Sequence, residues 1–305
     1  MRVISVLSLL LAAATNLCQA EYDSRKYHQF DNGTWIEDIA GYGASWYVKF
    51  SRYDRPIVYQ VDTAHQHGPP QPLYTFPDSI GLTGITELGY ERYAILARTK
   101  VNGHDASSLW TLSNNGSAPQ AVKLIEKIGN GGTLNGLTTL SSTVVLASNT
   151  LAGVVYRLDL QTRTVKVVLK DPTMAKGING VRYRAPYLYY TNSVQGLFAR
   201  IPIDPITAEP TGKAQVVSKG ASLVGADSFT LAHWSDDAFV ANFQRNTVVR
   251  VNTTAKAAEV VVRNIPAPCS AAFGSSGGLY VVTSGTGSDG GASVWSVSVP
   301  DERFS

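Results

Sequence analysis

The sequence predicts an all-β fold, a closed six-bladed β-propeller with four strands in each blade. Three observations predict it. A three-strand unit recurs six times, its strands alternate apolar and polar residues between Gly, Pro and Asn turns, and the strand missing from the last repeat has a candidate near the N-terminus.

The unit is clearest from Gly177 to Asp204, GINGVRYRAPYLYYTNSVQGLFARIPID. Asn179-Gly180 opens an alternating run, Pro186 breaks it, YLYYT resumes it, and LFARI follows the Gln195-Gly196 turn. Laid under one another, the third strands are IVYQVDT from Ile57, SLWTLSN from Ser108, VVYRLDL from Val154, LFARIPI from Leu197, VVRVNTT from Val248 and SVWSVSV from Ser293. Their equivalent positions Tyr59, Trp110, Tyr156, Ala199, Val249 and Trp295 lie 43 to 51 residues apart. A period of about 46 residues is that of a four-stranded blade. Second strands fall at SWYVKF, RYAILAR, TVVLASN, YLYYTNS, DAFVANF and GLYVVTS. Fourth strands follow in PLYTF, AVKLIEK, VKVVLK, AQVVSK and AEVVVR, one fewer than the blades require. Lys26 to Phe30, KYHQF, belongs to no repeat. It is expected to supply the sixth outer strand and close the ring, which removes two open sheet edges.

Ahead of the repeats, residues 1–20 are expected to form a secretory signal peptide. Arg2 precedes the apolar run VISVLSLLLAAAT, and Cys18-Gln19-Ala20 places small residues at the cleavage point. The run is too short for a membrane span, and no later segment is long and apolar enough for one. The sequons at Asn32, Asn115 and Asn252 fit a secreted or lumenal glycoprotein. Cys18 leaves with the signal, so Cys269 is the one cysteine of residues 21–305 and an intrachain disulfide there is excluded. The 26 basic side chains, less Arg2, stand against 23 acidic ones. That balance, with no basic stripe, argues against a nucleic-acid partner. With neither a linker nor a shift in composition, residues 21–305 read as a single propeller domain. The Gly-rich loops GNGG from Gly129 and SGTGSDGG from Ser284 lack the Gly-Lys-Ser/Thr of a phosphate loop.

In a propeller the first strand of each blade lines the central channel, so one alignment column becomes one ring around the axis. The first strands are WIEDI, LTGIT, LNGLT, INGVR, ADSFT and PCSAA, and their first polar column is Glu37, Thr83, Asn135, Asn179, Asp227 and Cys269. Each lies 20 to 27 residues before the matching third-strand position, which supports the register. Burying such groups unpaired costs roughly 1–3 kcal/mol each, so they call for water, a metal or a ligand. The bland alternative is that Asn135-Gly136 and Asn179-Gly180 are turns and that Glu37 and Asp227 bond to neighbouring backbone. As ligands, Glu37, Asn179 and Asp227 offer only oxygen, which suits calcium or magnesium better than zinc or copper.

The set Glu37, Asn135, Asn179 and Asp227 on successive repeats resembles the metal-dependent gluconolactonase, regucalcin and senescence-marker propeller superfamily. That resemblance implies a divalent cation on Glu37, Asn179 and Asp227, with Asn135 helping to bind substrate. The longer phrases GTWIEDIA, LNGLTTL, GVVYRLDL, GINGVRYRAPYLYYTNSVQGLFARIPID and SAAFG are similar to a fungal secreted branch of natural-product pathway proteins. Some members of that branch are hetero-Diels-Alderases of meroterpenoid, that is secondary-metabolite, biosynthesis. They join a tropolone (polyketide) quinone methide to a humulene-type sesquiterpene. The sequence departs from lactonases in having Ala226-Asp227-Ser228 in place of Pro-Asp-Gly, and Glu87 in GITEL has no lactonase role.

Three functions follow. A pericyclase without a cofactor would hold polyketide and terpene substrates in a reactive pose, with Asn135, Asn179 and Thr83 donating hydrogen bonds to a carbonyl. A lactonase would use a cation such as calcium, with Asp227 accepting a proton from water. A binding module would present its loops to a partner without catalysis. Among the aromatic residues, Tyr42, Trp46, Tyr90, Phe229, Trp234 and Phe243 lie near strand ends, where blade packing competes with a role in a substrate wall. His65 and His67 read as surface loop, His104 and His233 lack a recognisable partner, and Cys269 reads as a small buried thiol.

Overall fold

Short alternating runs separated by Gly, Pro and Asn turns fold into six sheets of four antiparallel strands arranged as a propeller. The structure, a computed structural model, describes residues 21–300 except 42–44, 46, 65–67, 117, 130–133, 276 and 288–289. The expected signal peptide, Tyr42, Trp46, His65, His67 and parts of the two Gly-rich loops therefore lie outside the described residues. Blades 1 to 5 span residues 36–75, 81–125, 137–170, 178–219 and 226–263, each a simple meander from channel to rim. Blade 6 takes three strands from residues 268–297 and its outer strand from Ser24–Gln29, which pairs antiparallel with Ser293–Val297. The closing strand thus begins two residues before the expected Lys26.

A detail of register shows that this strand is a true member of the repeat. In blades 1 to 5 the outer strand carries one extra residue opposite the third strand: Leu73, Leu124, Val168, Val217 and Val261. Each bulge falls at the third-strand column Tyr59, Trp110, Tyr156, Ala199 and Val249. In blade 6 the same irregularity lies at Tyr27, opposite Trp295 and Val294. A bulge turns the extra side chain toward the sheet's packed face. Val168, Val217 and Val261 are accordingly buried, and Tyr27 packs edge-on to Tyr280.

Hydrophobic cores lie between blades. Each of six clusters joins two neighbours, such as Leu146 and Val155 of blade 3 with Val181, Leu188 and Tyr190 of blade 4. The ring-closing cluster joins blade 6 to blade 1 through Ile36, Phe50, Tyr280 and Val282, with Phe30 packed edge-on to Phe50 and Tyr59. With every blade buried on both faces, the open space left for a ligand on the axis is the channel.

Candidate functional site at the channel mouth

The ring residues reach the channel because the backbone bulges beneath them. Pairing between first and second strands is interrupted at Glu37, at Thr83-Gly84, at Asn179-Gly180, at Asp227-Ser228 and at Cys269. Asn135-Gly136 occupies the same place just ahead of Leu137–Ser141. Bulges of this kind re-aim a side chain out of the pleat.

The Asn-Gly pairs are not turns. A Cβ on Gly136 would lie 2.6 Å from the Asn179 carbonyl oxygen, and one on Gly180 would lie 2.7 Å from Cα of Ser228. Glycine is required there so that adjoining first strands can approach at the narrow axis. Second-strand hydroxyls fasten the same points from the neighbouring blade. Ser51 donates to the Thr83 carbonyl (2.5 Å), Ser148 to that of Asn179 (2.5 Å) and Thr191 to that of Asp227 (2.6 Å).

Glu37, Thr83, Asn135 and Asp227 line one chamber of about 430 Å³, with Trp35, Tyr53, Leu151 and Phe243 as its apolar walls. Glu37 is buried; its Oε2 accepts from Trp35 Nε1 (2.9 Å) and its Oε1 from Asn135 Nδ2 (3.1 Å). Burial, with the Asp38 charge added, pushes its carboxyl up to about 7 against the Trp35 and Asn135 hydrogen bonds and the Arg98 charge. Burial also raises Asp227 well above the carboxylate range, helped by the charges of Glu37 and Asp38 and opposed by the Asn179 amide and the Ser228 N–H. Two carboxyls so placed resist joint ionisation, since the charge of each raises the other.

The expected donors are differently disposed. The Asn135 amide is engaged with Glu37, and Asn179 Nδ2 donates to Ser193 Oγ (3.2 Å), leaving Asn179 Oδ1 buried without a partner. Thr83 Oγ1 is likewise buried and unpartnered. Asn179 is not among the chamber's lining residues, but its amide acts on the Asp227 carboxyl, and with Glu37 the three supply an all-oxygen donor set of the type a hard divalent cation such as calcium takes.

Asp38 and Arg182 were not singled out from the sequence, yet they occupy the axis behind this chamber. Asp38 Oδ1 accepts from Arg182 Nη2 (3.1 Å), Ser270 Oγ (2.6 Å) and the Ile39 N–H (3.0 Å), and its Oδ2 from the Ile85 N–H (3.1 Å). One carboxylate thereby joins blades 1, 2, 4 and 6. Its position beside Glu37 in WIEDI and the lone Arg of INGVR were the available signals, but both face pleated strand neighbours of unknown inclination. Trp35 and Tyr53, whose rings lie 4.8 Å apart, were also missed as chamber walls.

Of the other candidates, Cys269 is a free buried thiol raised further by burial and by the Asp227 and Glu37 charges, the opposite of an activated nucleophile. Phe229 is interblade core, Tyr90 is exposed, Trp234 lines a groove with Tyr22, and of the described aromatic candidates Phe243 reaches the chamber. His104 and His233 are exposed. Asn32 and Asn115 are exposed, whereas Asn252 ends a strand with its Nδ2 donating to Asp237 Oδ1 (2.9 Å).

A scan against protein-family models finds no match, and no curated protein matches the sequence. Solved structures do share the fold. A luciferin-regenerating enzyme is 13% identical with a TM-score of 0.71, covering 91% of this chain and 95% of its own. Regucalcin from Agrobacterium tumefaciens, described as a calcium-binding protein, is 14% identical with a TM-score of 0.68, covering 92% and 95%. Virginiamycin B lyase from Staphylococcus aureus is 11% identical with a TM-score of 0.61, covering 92% and 100%. At such identity the likeness is one of fold.

Proposed function

We propose that the protein is an enzyme whose reaction takes place in the Glu37–Asp227 chamber, and that it is a pericyclase of the hetero-Diels-Alder type. The observation that carries this reading is a pair of carboxyls, Glu37 and Asp227, lining one chamber with apolar walls, both raised by burial. A neutral carboxylic acid in such surroundings donates a strong hydrogen bond to a carbonyl oxygen. On an α,β-unsaturated carbonyl, including a quinone methide, that bond makes the heterodiene more electrophilic. The alkene then adds across it, forming one C–O and one C–C bond with no net transfer of protons or electrons. Trp35, Tyr53, Leu151 and Phe243 supply the surface on which an apolar terpene alkene lies and exclude water from the reactive partner. Holding both partners in a near-attack pose can contribute up to ~7–11 kcal/mol. The fungal secreted phrases of the sequence support a polyketide quinone methide and a humulene-type sesquiterpene as the pair.

The bare Asn179 Oδ1 favours a second reading, a cation-dependent lactonase. Glu37, Asn179 and Asp227 would hold the ion, which when bound polarises an ester carbonyl. Asp227 would take the proton from the attacking water and Asn135 would orient the substrate.

The test is product analysis with a quinone methide precursor and a macrocyclic alkene, alongside opening of a simple aldonolactone, each with and without chelator. The pericyclase reading expects adduct formed faster than the background, insensitive to chelator and lost in Glu37→Gln and Asp227→Asn. Lactone opening that vanishes with chelator and returns with calcium would put the hydrolase first. Neither activity would leave a binding module.

A further inference from the structure

The channel has a second chamber at its opposite mouth, beyond the Asp38–Arg182 bridge, with a volume of about 270 Å³. Its two sides differ in chemistry. Blades 5, 6 and 1 contribute an apolar crescent that includes Leu231, Ala232, Ala271, Ala272 and Phe273. Blades 2 to 4 contribute a polar one with Thr86, Glu87, Thr139, Arg182 and Arg184. The ring chamber, by contrast, holds carboxyls, the Asn135 amide and threonine hydroxyls, and its described lining has no guanidinium.

The two guanidiniums here are unequal. Arg182 is neutralised by Asp38 at 3.1 Å. Among the described residues Arg184 donates from Nη1 alone, to the carbonyls of Ala232 (2.8 Å) and Ser235 (3.3 Å), and stacks over Tyr189 at 5.7 Å. Among the described residues no carboxylate pairs with it, and its Nε and Nη2 have no partner. A half-buried guanidinium held in place by carbonyls, with its remaining N–H groups uncommitted at a cavity wall, is built to receive a planar oxyanion. His233, whose ring lies 6.4 Å from that of Phe273, adds an imidazole at the rim.

We propose that this second chamber binds a small amphipathic organic acid, its carboxylate paired with Arg184 and its apolar body lying against Ala271 and Phe273. Glu87 lines the same chamber, and burial raises its carboxyl to about 7, so below that pH it can donate to a bound anion and above it its charge opposes one. The site is distinct from the ring chamber and independent of the reaction proposed there.

The probe is 4-bromobenzoate, with 4-bromobenzamide as its uncharged counterpart. Titration calorimetry of the protein is expected to show saturable binding of the benzoate, with the amide at least tenfold weaker. Arg184→Gln should weaken the benzoate at least tenfold, and Glu37→Gln at the other mouth should leave it unchanged. In a soaked crystal the anomalous bromine peak should lie beside Phe273, a result that does not depend on the variants folding. A peak among Glu37, Asn135 and Asp227, equal affinity for acid and amide, or absence of binding at millimolar concentration would overturn the proposal.

Discussion

Glu87→Gln tests the electrostatics of the second chamber through stability. Burial lifts the Glu87 carboxyl from 4.5 to about 7, aided by the Asp38 charge and countered by Arg182 and by the N–H groups of Glu87 and Gly41. Arg184 and His233 also border the chamber. Between pH 4.5 and 7 the folded protein keeps a proton that the unfolded chain has released. Stability therefore falls as pH rises through that window and levels off above it. At 1.36 kcal/mol per unit the ceiling is about 3 kcal/mol, and partial exposure of Glu87 to the chamber reduces this to roughly 1–2 kcal/mol. Gln keeps the shape without the titration. The variant should match the wild type near pH 4.5 and exceed it by ~1–2 kcal/mol at pH 8, equivalent to about 2–4 °C in Tm. Urea unfolding at pH 4.5, 6, 7 and 8 reads the difference. Curves that run parallel across that range would falsify the assignment of Glu87 as a carboxyl protonated by burial.

Three further outcomes are expected. Gly180→Ala should cost about 1–3 kcal/mol, because its Cβ meets the Ser228 backbone, and it should also lower activity by displacing Asn179. Gly116→Ala, open on all sides, is the neutral control, and equal melting of the two variants would count against close approach at the axis. Asp38→Ala should destabilise by ~3–5 kcal/mol, since it strands the Arg182 charge and removes the acceptor that joins four blades; a loss under about 1 kcal/mol in chemical unfolding would contradict that role. Expressed through a secretory pathway, the protein should carry glycans at Asn32 and Asn115 and little at Asn252, whose amide is committed to Asp237. Peptide mapping that finds Asn252 fully occupied would show that this hydrogen bond is dispensable.

The architecture was legible in the residues because a blade is a local object. Its strands are contiguous, its turns are marked by Gly, Pro and Asn, and its repetition lets one blade correct the register of another. The third-strand column from Tyr59 to Trp295 coincides with the bulge in every blade, and the ring column from Glu37 to Cys269 coincides with interrupted pairing in five first strands and with Asn135-Gly136 in the sixth. Even the closing strand could be inferred, since a ring with five outer strands needs a sixth. The Asn-Gly pairs stayed open between ring position and turn, because in one dimension a glycine that permits a turn is identical to one that permits two strands to touch.

Which polar groups meet across the axis was decided only by the tertiary structure. Asn135 reaches Glu37 from 98 residues away, Arg182 reaches Asp38 from 144, and Ser270 reaches Asp38 from 232. No spacing rule encodes those contacts, because they depend on how six sheets incline as they converge. The same convergence divides the channel at the Asp38–Arg182 bridge, placing carboxyls and an amide at one mouth and, at the other, a guanidinium bonded to carbonyls and paired with no carboxylate among the described residues. Sequence determines the column in which a side chain stands; the closure of the ring determines what it faces and how much water it loses, and those two quantities set its charge and its chemistry.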